Sequence, residues 1–173
     1  NASMMPCSWL VSRRLAETVG PWNEALSLDD DGEYQCRLAA ASDEVRFVGG
    51  ATAYYRVGNV RSLSWQTSRK ALASQWRSMQ LCMGHLLALE DSDRTRQACM
   101  TYLQDNLTLF YPDAHDIVAQ MRERAAALGG ELQPPAQGRL FSLTRRAIGW
   151  SNAKALRMLL GRQSTRLRSL VQP

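Results

Sequence analysis

The chain has 173 residues, enough for one domain of ordinary size or a small core with an appendage. An apolar fraction of 45% with a charged fraction of 21% excludes an intrinsically disordered chain. The net charge is +5, and no apolar run reaches the roughly 18 residues of a membrane-spanning helix.

The start, Asn1-Ala2-Ser3-Met4-Met5-Pro6, has neither the basic region nor the apolar core of a secretion signal. It does not begin with Met, and the expectation is a piece of a longer protein. Ser8-Trp9-Leu10-Val11-Ser12 reads as a short strand, and Leu15 to Val19 as a helical turn or two stopped by Gly20-Pro21. Asp29 or Asp30 then caps a helix to about Ala41, with Tyr34, Leu38 and Ala41 at helical spacing. Carboxylates crowd its first turn, where the helix dipole favours them. Glu44-Val45-Arg46-Phe47-Val48 alternates as a strand, Gly49-Gly50 turns, and residues 51–57 are β-rich.

Residues 69–90 follow as a helix with Leu72, Trp76, Met79, Met83 and Leu86 on one stripe. Asp91-Ser92-Asp93 caps a second helix to about Tyr111, with Cys99, Tyr102, Leu103, Leu107 and Phe110 inward. Pro112-Asp113 opens a third, through Ile117, Val118 and Met121 to Leu128, closed by Gly129-Gly130. Residues 133–138 read as a linker, and 140–160 as short basic amphipathic helices. The expected fold class is therefore α+β, predominantly helical, with a small partial sheet. Its parts are residues 1–68, a helical bundle over 69–130, and a linker with basic tail over 131–173.

Cys7, Cys36, Cys82 and Cys99 show no metal-ligand spacing, and the simplest expectation is four reduced, buried thiols. His85 and His115 stand alone in the sequence and read as surface or satisfied histidines. Charge is unevenly spread. Residues 1–64 hold eight carboxylates against six arginines, whereas no acidic residue follows Glu131. The tail, with Arg139, Arg145, Arg146, Lys154, Arg157, Arg162, Arg166 and Arg168, has three readings: a solvated face, an anionic membrane surface, or, ranked last, nucleic acid.

The most informative stretch is Gly20-Pro21-Trp22-Asn23-Glu24-Ala25-Leu26 followed by Asp29-Asp30-Asp31-Gly32-Glu33-Tyr34. Close-set carboxylates raise one another's pKa, which suits one of them to act as a base near neutral pH. The first segment resembles the "G-G/P-aromatic-N/D-E-x-L" segment of family-2 glycosyltransferases of the A-type fold. Asp30-Asp31-Gly32-Glu33-Tyr34, with Arg37-Leu38 one turn on, is similar to that family's acidic "E/D-D-x-E/D-aromatic" motif. A Val-Arg-Phe-Val strand, Ala-Tyr-Tyr-Arg and Ser62-Leu63-Ser64 follow in the matching order, so the resemblance covers about residues 8–65.

The resemblance implies sugar transfer from a nucleotide-diphosphate donor to an acceptor hydroxyl, with inversion at the anomeric carbon. It assigns Asp31 as the general base, with Asp30 and Glu33 beside it. Trp22, Glu24, Arg37 and Arg56 become substrate-binding candidates. Judged on spacing alone, Asp31 reads first as a solvated helix cap, Trp22 as a core plug and Arg56 as a solvated strand edge. An acceptor-side site of this kind places Asp31 at the mouth of an open cleft.

The family's nucleotide-binding half, with a D-x-D motif that holds Mg²⁺ or Mn²⁺, has no counterpart in these residues. Asp29-Asp30-Asp31 matches D-x-D literally, but it opens a helix instead of ending a buried strand. The expectation is no metal in this piece, Mg or Mn in the whole enzyme, and no turnover by this chain alone. Partners are then a nucleotide-sugar donor and a glycan or lipid-linked acceptor, with a cytoplasmic location at the inner membrane face. Self-association through an open sheet edge is the expected route to a homodimer. The competing reading is a non-catalytic helical module that docks to a partner protein or an anionic membrane.

Overall fold

A computed structural model of the chain describes residues 5–54, 66, 68–111 and 114–134. Contacts divide the chain into Asn1–Gln133 and Pro134–Pro173, and the basic tail lies outside the described residues. A 3-10 turn over Pro6–Ser8 precedes five α-helices: α1 (Arg13–Val19), α2 (Asp30–Ala41), α3 (Arg69–Leu89), α4 (Asp93–Phe110) and α5 (His115–Ala127). The described part is thus predominantly helical.

Local chemistry fixes several helix ends. Ser12 caps α1 and Ser68 caps α3, each hydroxyl accepting from the backbone N–H three residues on at 3.2 Å. Ser92 and Thr95 form a reciprocal capping box at the start of α4. At the end of α5, the Gly130 N–H donates to the Ala125 carbonyl and the Gly129 N–H to that of Ala126, both at 3.0 Å. That Schellman closure needs a left-handed residue, and Gly129 supplies it at φ 85°.

The core lies between α3, α4 and α5. Met79, Met83, Cys99, Leu103, Leu107, Phe110, Ile117 and Met121 are buried there, with Trp76 donating its indole N–H to Gln120 Oε1 at 2.9 Å. Leu72, Leu86 and Tyr102 are only partly buried, at the border of this core. The chain beyond α5 is held to α4 where the Gln104 side chain pairs with both backbone groups of Gln133, at 2.9 and 3.0 Å.

On its other flank α3 packs against α2. Leu28 meets Ser74, Asp29 meets Gln75 and Ser78, and Glu33 meets His85, so the two helices run in the same sense. Parallel neighbours require a long return, which residues 42–68 provide.

The structure departs from the sequence expectation in that return and ahead of α1. No strand forms among the described residues of 8–12, 44–48 or 51–57, although the Gly49-Gly50 turn is present, closed by Ala51 N–H to the Val48 carbonyl at 3.3 Å. Residues 55–57 lie outside the described residues. Alternation alone does not make a strand. Its backbone groups need a partner, and among the described residues none lies alongside. Leu10, Phe47 and Tyr54 are consequently almost fully exposed, and Val45 and Val48 are exposed as well. Ala41, expected inward, is also exposed at the last turn of α2.

Candidate functional site

The residues singled out by sequence converge at the start of α2. Pro21 and Trp22 leave α1 through Gly20, whose φ of 79° turns the chain. Asn23 then closes an Asx turn, its Oδ1 accepting from Ala25 N–H at 3.2 Å, and Leu26 is buried beneath it. Ser74 on α3 receives the next residues. Its Oγ accepts the N–H groups of Ser27 and Leu28 at 2.8 and 3.0 Å and donates to the Leu28 carbonyl at 2.9 Å.

Asp29 occupies the N-cap position in a left-handed conformation, φ 61° and ψ 27°; its carbonyl accepts the Glu33 N–H at 3.2 Å, but its side chain caps no N–H of the helix. Its carboxylate instead crosses to α3, where Oδ2 accepts from Gln75 Nε2 and lies 2.8 Å from Ser78 Oγ. Burial raises its pKa above the ordinary 3.8, and the hydrogen bonds from Ser78 and Gln75 oppose that rise. The fold of this side chain over the helix explains Gly32: a β-carbon there meets Asp29 Oδ1 at 2.5 Å and Cγ at 2.9 Å.

Glu33 and Asp31 lie on nearly opposite sides of the helix, two residues apart. Glu33 is buried, and Arg37 binds it through both oxygens at 2.8 and 3.1 Å. The same guanidinium donates to the carbonyls of Val19 at 2.5 Å and Pro21 at 2.9 Å. His85 Nε2 sits 3.2 Å from Glu33 Oε1, so this histidine is not isolated. Trp22 stacks on Tyr34 with centroids 4.4 Å apart and planes 17° apart, and Arg37 lies over the other aromatic partner, 5.2 Å from the Tyr34 centroid. Trp22 nonetheless stays 44% exposed, so it is not the core plug of the alternative reading.

Asp31 is half-buried, its Oδ1 accepting from the Gly32 N–H at 2.9 Å. Among the described residues its second oxygen accepts no hydrogen bond, which leaves a lone pair for a proton. Asp30 is half-buried beside it, and Glu24 is exposed on the preceding turn. Arg56 lies outside the described residues. An open, shallow cleft of about 320 Å³ lies on the other side of α2, bounded by Thr18, Arg37, Ala40, His85, Ala88 and Leu89, and Asp31 does not border it.

Among the described residues no three or more His, Cys, Asp or Glu side chains gather as metal ligands. In the Asp29-Asp30-Asp31 run, Oδ2 of Asp29 is taken by Gln75 and Ser78 of α3. No helix among the described residues is long and apolar enough to cross a membrane.

Two relationships had no signal in the sequence: Asp29 with Ser78 and Glu33 with His85, at separations of 49 and 52 residues. The expectation of four buried thiols also needs correction. Cys99 is buried, Cys36 and Cys82 are half-buried at the α2–α3 interface, and Cys7 is exposed on the Pro6–Ser8 turn, whose residues face no core. No family model, no curated protein and no solved structure matches this chain.

Proposed function

We propose that the chain is the acceptor-side portion of an inverting glycosyltransferase, in which Asp31 removes the proton from the acceptor hydroxyl. The observation that carries this reading is the joining of the two motif segments at one place. Arg37 ties the Val19–Pro21 turn to Glu33 of the acidic helix, while on the opposite side one Asp31 oxygen has no hydrogen-bond partner among the described residues. A carboxylate on the first turn of a helix is held by its own backbone, giving the fixed geometry that in-line displacement needs.

In this reading the acceptor oxygen, as its proton passes to Asp31, attacks the anomeric carbon from the face opposite the nucleoside diphosphate. The diphosphate leaves with its electron pair, and configuration inverts. The donor is held by a nucleotide-binding half outside these residues, and the metal of the family belongs there. Asp30 shapes the local field, and Glu33 acts by positioning the helix through Arg37. The exposed Trp22 offers an apolar face to an acceptor sugar, with Glu24 beside it to accept from sugar hydroxyls. Arg56 is proposed to meet acceptor phosphate.

The partial sheet belongs to the same proposal: residues 8–12 and 44–57 become strands when strands of the donor-binding half lie beside them. That accounts for the exposed Val45, Phe47, Val48 and Tyr54. The test is sugar-nucleotide binding by this chain alone and by the chain preceded by its upstream coding sequence. The proposal requires binding by the longer protein only. An upstream sequence without a sugar-nucleotide pocket overturns it in favour of the docking-module reading.

A further inference from the structure

We propose that Cys36 of α2 and Cys82 of α3 form an oxidant-sensitive dithiol that closes into a disulfide joining the two helices. The inference does not depend on the glycosyltransferase reading. Both thiols are free, and each crosses the same interface: Cys36 Sγ lies 3.7 Å from the Cys82 carbonyl oxygen, and Cys82 Sγ lies 3.9 Å from that of Gly32. Side chains this short touch the facing backbone only where two helices approach closely. Gly32, Ser74 and Ser78 allow that approach, and Ser78 Oγ reaches the Asp29 carbonyl at 2.9 Å. Close approach of this kind is what disulfide geometry demands of two Cα atoms.

Accessibility and reactivity separate this pair from the other cysteines. Cys99 is sealed in the core, and Cys7 is exposed on the Pro6–Ser8 turn. Cys36 and Cys82 are half-buried, open enough for a small reagent, and each Sγ lies against the backbone of the other helix. The proximity of the two thiols lowers the Cys36 pKa against the effect of burial and, together with burial, raises that of Cys82. In this proposal Cys36 is the attacking thiol and Cys82 the resolving one.

With oxidised glutathione as the oxidant, the Cys36 thiolate attacks one sulfur and expels one glutathione thiolate, leaving a mixed disulfide. Cys82 then loses its proton to water and attacks the Cys36 sulfur, expelling the second glutathione thiolate. The protein dithiol is oxidised and one glutathione disulfide is reduced to two thiols. The new bond clamps α2 to α3 one helical turn from both Glu33 and His85, and closes the 46-residue separation spanned by the 42–68 return.

The test equilibrates the 173-residue chain in glutathione buffers of increasing oxidised fraction, blocks free thiols with N-ethylmaleimide and maps peptides by mass. The expected result is a Cys36–Cys82 linked peptide, two hydrogens lighter than the thiol pair, formed while Cys99 stays reduced and reversed by dithiothreitol. Cys82→Ser is expected to accumulate the mixed disulfide on Cys36. Free Cys36 and Cys82 under buffers that already modify Cys7 would overturn the proposal, as would linkage of either to Cys7 or Cys99. Faster adduct formation at Cys82 in Cys36→Ser than at Cys36 in Cys82→Ser would overturn the assigned order of attack.

Discussion

Arg37 binds Glu33 through both carboxylate oxygens, four residues back on the same helix, while its other donors hold the carbonyls of Val19 and Pro21. The pair is more than an exposed ion pair of one helix. The Glu33 side chain is only 3% exposed, so the guanidinium both neutralises a buried charge and fastens the incoming turn. Replacement by alanine leaves that charge with His85 as its remaining described partner. Arg37→Ala is expected to cost about 3–5 kcal/mol of stability. Chemical denaturation measures it, and limited proteolysis should show new cleavage around residues 20–24.

Gly32 and Asp29 make a second coupled pair. Gly32→Ala drives a β-carbon into a carboxylate already held by Ser78 and Gln75, so neither the helix nor the side chain gives freely. A loss of about 1–3 kcal/mol is expected. Asp29→Gly removes the obstructing carboxylate and tolerates the positive φ. In that background the further cost of Gly32→Ala should largely disappear, a double-mutant cycle that denaturation midpoints measure.

Asp29 also carries a pH signature. Its folded pKa is raised, so it binds more protons folded than unfolded, and its contribution is fully present below pH 3.8. That contribution is lost as pH rises through the folded value. Exposed Asp91, Glu90 and Asp116 run the opposite way, since hydrogen-bonding and basic partners lower their pKa values. The difference between wild type and Asp29→Asn isolates Asp29, because the amide keeps an acceptor oxygen for Ser78 or Gln75 but does not titrate. The variant should gain stability relative to wild type as pH rises from 3.8 towards neutrality, read from urea midpoints at each pH.

The helices were legible because their signals are local. Ser92 with Thr95, the Gly129-Gly130 closure and the Leu103–Leu107–Phe110 stripe each lie within a turn or two of what they specify. Arg37 with Glu33 is equally local, four residues apart. Asp29 reads as a cap from its neighbours, yet its side chain serves α3, and only folding brings Gln75 and Ser78 to it. The expected strands are not formed over the described residues for a related reason. The alternation at Val45 and Phe47 expresses a preference for a partner strand, and a sequence pattern does not supply one.

The proposed base assignment is most directly tested by Asp31→Asn in a longer protein carrying the donor-binding half that the proposal requires. The substitution keeps an oxygen for the Gly32 N–H and removes the negative charge and with it the ability to take a proton. Sugar transfer at saturating donor should fall about 10²–10⁴-fold, with donor binding and the denaturation midpoint unchanged. Transfer at the unsubstituted rate would contradict the account.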